Sequence, residues 1–338
     1  MFAATSGMKS HWIVLAGLAA LFAGGCGHDS ARPSASVSAS SPAAPTVPTQ
    51  IVVSAADAAP PEAQTGGFDG AKAYDHVAKL VAFGPHPPAS DGIHAVQKYI
   101  HSQLQSFGCA VDEDDFNAQT GVGTLAMKNI VTKIPGTGRG IILLLTHYDT
   151  KRVENFVGAE DSGSSTGLML EMARILCGRP KQANAVWIAF VDGEETQAQF
   201  DWNDADSTYG SRELAARLAV SGDLKRVRAV ILADMVGQKG LAITRDSDST
   251  KWLTDLVWHT AASLGYKDVF VSQEIPMVDD HTPFLARGVA SVDIIDFDGY
   301  TAPGYWHTAQ DTLDKISPRS LAIVGHVILE TVNQLQKL

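Results

Sequence analysis

Four short, largely apolar runs constrain the fold of this chain more than any other feature of its sequence. They lie at 141–145, 186–190, 227–232 and 289–295, of which the first two are apolar throughout, and a short alternating run lies at 129–134. Segments with apolar residues at helical spacing accompany them, at 71–82, 92–107, 165–177, 211–219, 250–264 and 318–336. Strands that are apolar on both faces belong in a sheet that helices cover on both sides. We therefore expect an α/β fold: a single three-layer α/β/α domain with a central mixed, mostly parallel sheet flanked by helices.

The length and the charge of the chain limit the domain count and the partners. Its 338 residues, of which 45% are apolar and 19% charged, suffice for one large α/β domain. The formal net charge of −11 argues against nucleic acid or an anionic lipid surface as a binding partner. We expect the folded part to act as a monomer.

The N-terminus has the pattern of an export signal. Lys9 and His11 precede an apolar run at 12–22, which is too short to span a membrane, and small residues then lead to Cys26. Small residues directly before a cysteine resemble the lipobox of bacterial lipoproteins. We expect a signal peptide at 1–26, a lipid anchor on Cys26 and a location in the bacterial cell envelope or periplasm. Ordinary signal cleavage nearby is the alternative.

The residues after Cys26 fall into two parts. Residues 27–66 are rich in Ala, Ser, Pro and Thr without hydrophobic periodicity, which predicts a disordered tether. Residues 67–338 would form the catalytic domain. An exported protein could pair its two remaining cysteines, Cys109 and Cys177. Because one precedes a predicted strand and the other ends a predicted helix, we expect two isolated thiols instead.

Polar side chains follow the apolar strands where the strands end. His147 and Asp149 follow the first run, Glu194 and Glu195 follow the second, and Asp234 follows the third. The carboxyl ends of parallel strands meet at one edge of a sheet, which is where such folds bind their ligands. Burying neighbouring carboxylates is costly unless a cation offsets their charge. Carboxylates and imidazoles without cysteine suit zinc or a similar divalent ion.

Other candidates are weaker when taken singly. Asp161 could merely cap the helix that begins near 165, and a lone histidine or tryptophan is usually part of the core. Adjacent residues point in different directions. Of the pair Glu194 and Glu195, one can therefore bind a metal ion while the other carries a proton.

Seven short motifs give the chain a family resemblance. In chain order they are THYDT, FVGAEDSGSS, DGEE, STYGSREL, ADMVG, DDHTPFLARGV and WHT. From about Tyr74 to the C-terminus the chain resembles the zinc peptidase family M28. Within that family it is similar to the animal-type glutaminyl-peptide cyclotransferases, or glutaminyl cyclases. The resemblance implies the zinc aminopeptidase-like form of the predicted α/β fold.

The resemblance also implies roles for individual residues. It implies that three side chains hold one zinc ion per chain: Asp161, Glu195 and His307. Glu194 would act as general base and acid, and Asp279 and Asp234 would extend a proton network beside it. Trp202 and Trp306 would line the pocket for the substrate.

The implied reaction converts the N-terminal glutamine of a peptide or protein to pyroglutamate and releases ammonia. Two other functions remain open, the first of them also implied by the resemblance to family M28. The first is an exported di-zinc M28 aminopeptidase, in which His147 and Asp234 hold a second metal ion and Asp161 bridges the two. The second is a non-catalytic binding module on a peptidase scaffold.

The chain departs from the animal enzymes at three points. The loops at 196–208 and 296–305 are longer, and Asp293 lies where those enzymes have a histidine. No cysteine lies directly before His147, so the disulfide of those enzymes is absent. These differences concern the preferred substrate more than the reaction.

Overall fold

The computed structural model of the protein describes residues 53–297 and 304–338. The predicted signal peptide and Cys26 lie outside these ranges. Within them, the strands are β1 (Val111–Thr120), β2 (Gly123–Ile134), β3 (Ile141–His147), β4 (Ala185–Val191), β5 (Val227–Asp234), β6 (Ile243–Asp246), β7 (Phe270–Ile275) and β8 (Ser291–Ile295). The α-helices are α1 (Gly70–Val81), α2 (Asp91–Ser106), α3 (Gly163–Cys177), α4 (Tyr209–Ser221), α5 (Lys251–Ser263), α6 (Thr282–Leu285) and α7 (Pro318–Leu335). Short 3₁₀ helices lie at Glu62–Gln64, Asp223–Arg226 and Leu313–Lys315.

These strands form one mixed sheet in the order β1-β2-β4-β3-β5-β8-β6-β7. Strand β3 pairs in parallel with β4 and β5, and β5 pairs in parallel with β8. Antiparallel pairs join β1 to β2, β2 to β4, and β6 to β8. The predicted fold, with a mixed sheet that is parallel in its middle, is confirmed. The apolar runs did not predict β1, β6 or β7, which are short, polar or mostly exposed.

Successive side chains of the central strands point to opposite faces of the sheet, and each face packs into its own hydrophobic core. On β3, Ile142 and Leu144 pack into the larger core with residues of α1, α2, α3, α5 and α7. Ile141, Leu143 and Leu145 pack into the smaller core with residues of α4 and α6. Each fully buried Leu or Ile stabilises the fold by about 1.5–3 kcal/mol. Burial on both faces is therefore the reason that β3 and β4 are almost entirely apolar.

Several helices begin at residues that cap them. The side chain of Asp69 accepts hydrogen bonds from two N–H groups at the start of α1, and the hydroxyls of Ser90 and Ser317 each accept one N–H group at the start of α2 and α7. Each such cap contributes about 1 kcal/mol. Gly70 is needed at the start of α1, because a Cβ there would lie 2.2 Å from the carbonyl oxygen of Pro318. The caps and this close approach set where α1 and α7 meet.

Cys109 and Cys177 form a disulfide bond, so the prediction of two isolated thiols was wrong. Cys109 follows α2, Cys177 ends α3, and their Cα atoms lie 5.5 Å apart, within the range that a disulfide spans. Helices α2 and α3 pack on the same face of the sheet, which brings their carboxyl ends together. The sequence positions alone did not reveal this proximity.

Residues at the carboxyl end of the tether predicted for 27–66 contact the rest of the described chain. The carbonyl oxygen of Asp57 accepts the N–H of Arg319 in α7 at 2.9 Å. Thr65 is fully buried, and its hydroxyl donates to the carbonyl oxygen of Phe68. Residues 53–66 therefore pack on the catalytic domain. No helix among the described residues combines the length and the apolar character that crossing a membrane requires.

Candidate metal centre and active site

The carboxyl edge of the parallel strands carries the site. His147 ends β3, Asp234 ends β5, and Glu194 and Glu195 follow β4. One carboxylate oxygen of Asp149 accepts the N–H of Glu194 at 3.1 Å, and the other accepts the N–H of Glu195 at 3.4 Å. Asp149 is fully buried, and these two hydrogen bonds hold the backbone of both glutamates in place. These side chains lie at the same edge of the sheet, where we expected them from the sequence.

Asp161, Glu195 and His307 form a group with the geometry of a metal site. His307 Nε2 lies 3.2 Å from Asp161 Oδ2 and 3.2 Å from Glu195 Oε1. Ligand atoms on a tetrahedral zinc ion lie about 3.3–3.6 Å apart, given bonds of roughly 2.0–2.2 Å. Glu195 Oε1 is buried and has no hydrogen-bond partner among the described residues. A nitrogen and two carboxylate oxygens that point at one position fit a zinc ion.

The charges around His307 support this interpretation. Burial lowers the pKa of the imidazole, but the carboxylates of Glu195 and Asp161 outweigh it and raise the pKa to about 9. The group therefore attracts a cation at Nε2, either a proton or a metal ion. Because a metal ion must displace that proton, binding will depend on pH.

A second group of possible ligands shares Asp161. His147 Nε2 lies 3.1 Å from Asp234 Oδ1 and 3.4 Å from Asp161 Oδ1. Asp161 thus presents one carboxylate oxygen to each histidine, as a bridging ligand does. Burial lowers the pKa of His147, but the carboxylates of Asp234, Asp149 and Asp161 raise it well above its usual range.

Asp311 supports the loop that carries Asp161. Its carboxylate accepts the N–H of Glu160 at 2.8 Å and the N–H of Asp161 at 3.2 Å. The peptide bond between Asp161 and Ser162 is cis. We did not predict Asp311 from the sequence. Its position four residues after His307 is the only signal that could have drawn attention to it.

Asp161, Glu195 and His307, which we call the metal group, open into a cavity of about 270 Å³. All the predicted site residues except His147 line it. The lining residues are Asp161, Glu194, Glu195, Trp202, Asp234, Met235, Met277, Val278, Asp279, Ile295, Phe297, Trp306 and His307. The sequence reasoning missed the five aliphatic, Met and Phe residues of this set, because single apolar residues near a loop carry no local signal.

Aromatic rings form one side of the site. The ring of Trp306 stacks on His307 with centroids 3.9 Å apart, and Phe297 meets Trp306 edge-on at 5.3 Å. Phe200, in the long loop at 196–208, is 54% exposed and lies edge-on to His307 at 5.6 Å. Phe200 therefore forms part of the rim rather than the core.

Buried carboxyl groups lie behind Glu194. Burial raises the pKa of Glu194 well above its usual range; His147 opposes this effect and Asp279 adds to it. Burial and the carboxylate of Asp234 likewise raise the pKa of Asp279. Asp293 is fully buried, and its carboxylate makes no hydrogen bond with the described residues. Carboxyl groups with raised pKa values can hold protons at neutral pH and exchange them.

The chain matches known proteins over most of its length. The model of peptidase family M28 matches residues 129–332. A glutaminyl-peptide cyclotransferase-like protein of Mus musculus is 31% identical over 274 residues, which is 72% of this chain and 70% of that protein.

Two solved structures bear on the activity. The glutaminyl cyclase of an Acidobacteriales bacterium superposes with a TM-score of 0.75 at 39% identity, over 80% of this chain and 95% of that one. A Zn-dependent exopeptidase from Parabacteroides distasonis superposes with a TM-score of 0.72 at 27% identity, over 78% of this chain and 98% of that one. Both activities therefore occur on this fold, and the more similar of these two structures is a cyclase.

Proposed function

This chain belongs to peptidase family M28, and from that premise we propose that it is a glutaminyl cyclase. It converts the N-terminal glutamine of peptides or proteins to pyroglutamate and releases ammonia. One observation carries the proposal: three side chains that could hold a metal ion open into a small cavity, and Glu194, which lies outside that group, also lines the cavity. The similarity to the Acidobacteriales glutaminyl cyclase favours this activity over peptide hydrolysis.

We assign one zinc ion per chain to Asp161, Glu195 and His307. When bound, zinc supplies Lewis-acid polarisation of the γ-carboxamide of the substrate. Three protein ligands leave one position open for the substrate, as catalytic zinc sites require. The matched distances around His307 Nε2 and the unpaired Oε1 of Glu195 support this assignment.

Glu194 carries the proton in the reaction. The α-amine of the substrate attacks its own γ-carbonyl carbon, a C–N bond forms, and the bond to the amide nitrogen breaks. Glu194 accepts a proton from the attacking amine and returns it to the departing ammonia. Its raised pKa and the neighbouring Asp279 and Asp234 suit a group that takes up and releases a proton.

The cavity suits a single terminal residue. Its volume of about 270 Å³ lies below the roughly 300–1,000 Å³ typical of sites for drug-sized ligands. Trp202 and Trp306 line it and can hold the glutaminyl side chain in a folded conformation. Because the nucleophile belongs to the same residue as the electrophile, holding that conformation supplies much of the rate.

A di-zinc aminopeptidase is the second candidate, and the group formed by His147, Asp161 and Asp234 favours it. The two activities give different products. Purified protein is incubated with a peptide that begins with glutamine, and ammonia and free amino acids are measured. Ammonia without free amino acids supports the cyclase, whereas amino acids without ammonia overturn it. Metal analysis of the same sample separates about one zinc per chain from two.

We propose that the protein is exported and anchored by a lipid on Cys26. The disulfide between Cys109 and Cys177 supports export, because such bonds persist in oxidising compartments. We expect a monomer that meets peptide substrates in the cell envelope. Mass spectrometry of the mature N-terminus tests the anchor: a diacylglyceryl group on Cys26 is expected, and an unmodified N-terminus would contradict it.

A further inference from the structure

Lys151 is a buried cation beside the metal group. Its side chain is 3% exposed, and its Nζ lies 3.3 Å from Glu195 Oε2. The ammonium also lies 5.9 Å from the centre of the Phe200 ring. Burying a lysine is costly unless its charge is paired, and Glu195 is the carboxylate that pairs it. Neither the proton transfer nor the ligand set described above uses this lysine.

The contact divides the two oxygens of Glu195 between two cations. Oε2 accepts from Lys151, whereas Oε1 has no hydrogen-bond partner and lies 3.2 Å from His307 Nε2. The backbone of Glu195 is held independently, by Asp149 and by the side chain of Gln197, which donates to the Glu195 carbonyl oxygen at 2.6 Å. The carboxylate therefore cannot easily turn to present both oxygens to one position.

We propose that Lys151 is a positioning residue that limits Glu195 to a single-oxygen ligand of the metal ion. A carboxylate that binds through both oxygens would take two coordination positions. With Asp161 and His307, it would fill the position that the substrate needs. By occupying Oε2, Lys151 keeps that position open. This inference rests on the proposed metal site and deepens the proposed function.

The charge of Lys151 has a second consequence. Two carboxylates and a neutral imidazole balance the charge of a zinc ion, so a further cation at Oε2 leaves the group with a net positive charge. Electron donation from Glu195 to the metal is then weaker, and the metal ion polarises a bound carbonyl more strongly. Lys151 thus favours catalysis without strengthening metal binding. A residue that merely held the fold together would not have these two opposed effects.

The test replaces Lys151 by Met, which has a similar length and no charge. Co²⁺ is bound in place of zinc, and its visible absorption reports the coordination number without substrate, because four-coordinate Co²⁺ absorbs more strongly than five-coordinate Co²⁺. We expect Lys151→Met to weaken the absorption while zinc affinity, measured by chelator competition, stays equal or rises. With zinc, kcat falls about 10- to 100-fold, as is typical when a group supporting a ligand is lost. The KM changes much less.

Two further variants complete the experiment. Lys151→Arg keeps the charge at Oε2 and should retain the wild-type Co²⁺ spectrum and restore activity. Lys98→Met removes an exposed cation on α2 that does not line the cavity, and it should behave like the wild type. If thermal unfolding shows that Lys151→Met is not folded, Lys151→Gln is used in its place.

The outcomes separate this inference from the proposed function. An unchanged Co²⁺ spectrum in Lys151→Met, or equal losses in Lys151→Met and Lys151→Arg, overturns the positioning role. If the wild type releases no ammonia while Lys151→Met still shows the weaker Co²⁺ absorption, the cyclase activity is overturned and the positioning role of Lys151 stands.

Discussion

Asp311 accepts the backbone N–H of Asp161 at 3.2 Å, so the residue that follows His307 by four positions also supports another proposed metal ligand. The second oxygen of Asp311 accepts the N–H of Glu160 at 2.8 Å. One carboxylate thus ties the two loops that carry Asp161 and His307. The metal group depends on this link because both ligands lie outside the strands.

We expect Asp311→Ala to weaken zinc binding about 10- to 100-fold, because groups that orient metal ligands typically contribute that much. The measurement is the zinc dissociation constant from chelator competition. Asp314→Ala serves as the control, because Asp314 lies on the same segment but is exposed and pairs with Lys315. Unchanged zinc affinity in Asp311→Ala would show that the loops hold their positions without it.

Glu194 and Glu195 should respond differently to the same substitution. Glu194→Gln keeps zinc and lowers kcat about 10²- to 10⁴-fold, the usual contribution of a general acid or base. Glu195→Gln weakens zinc binding, because an amide oxygen is a poorer ligand than a carboxylate. Metal content and kcat are measured on both variants. Equal loss of zinc in the two would mean that the roles are assigned wrongly.

Removing the disulfide should destabilise the fold without changing the site. The bond closes a loop with a sequence separation of 68 residues. Loop-closure entropy then predicts a loss of about 4 kcal/mol in the free energy of unfolding. Denaturant unfolding of the double variant Cys109→Ser, Cys177→Ser measures it, and kcat of the folded fraction should stay at the wild-type value. Wild-type stability in the double variant would contradict the bond.

His76 should make the protein less stable in mild acid. Burial lowers the pKa of His76 from 6.5 to about 4, and the charge of Arg174 adds to this effect. The unfolded chain therefore binds a proton at higher pH than the folded one. Stability falls as the pH decreases from 6.5 towards 4, by up to an amount on the order of 3 kcal/mol.

Chemical denaturation of the wild type and His76→Gln between pH 7 and pH 4 tests this effect. The variant should lose less stability over that interval, although it is less stable at pH 7 because the hydrogen bond to Tyr99 is changed. His94→Gln, at an exposed position on α2, should keep the wild-type slope. Parallel curves for the wild type and His76→Gln would contradict the buried neutral histidine.

The sequence determined the layers of the fold and the edge at which the site lies. Runs such as 141–145 and 186–190 are local signals, because a strand buried on both faces must be apolar along its whole length. The polar residues at their ends, among them His147 and Glu195, could therefore be placed at one edge without knowledge of the strand order. The strands β1, β6 and β7 escaped prediction because they lie near the sheet edges and carry no continuous apolar run.

The remaining site residues were identified by resemblance rather than by pattern. Asp161, Asp279 and His307 lie in loops or beside a very short helix, where no periodicity marks them. All three line the same cavity as Glu194. Whether each has the role proposed for it is what the variants above decide.

Only the tertiary structure decided how distant residues meet. The sequence determined that buried strands end in carboxylates and imidazoles, because composition and periodicity are properties of a short stretch of chain. It did not determine that Cys109 meets Cys177, that Asp311 holds the loop of Asp161, or that Lys151 occupies one oxygen of Glu195. These contacts join segments up to 150 residues apart. Their geometry exists only after helices and strands have packed, because loop length and packing angle, not local sequence, set the distance between such side chains.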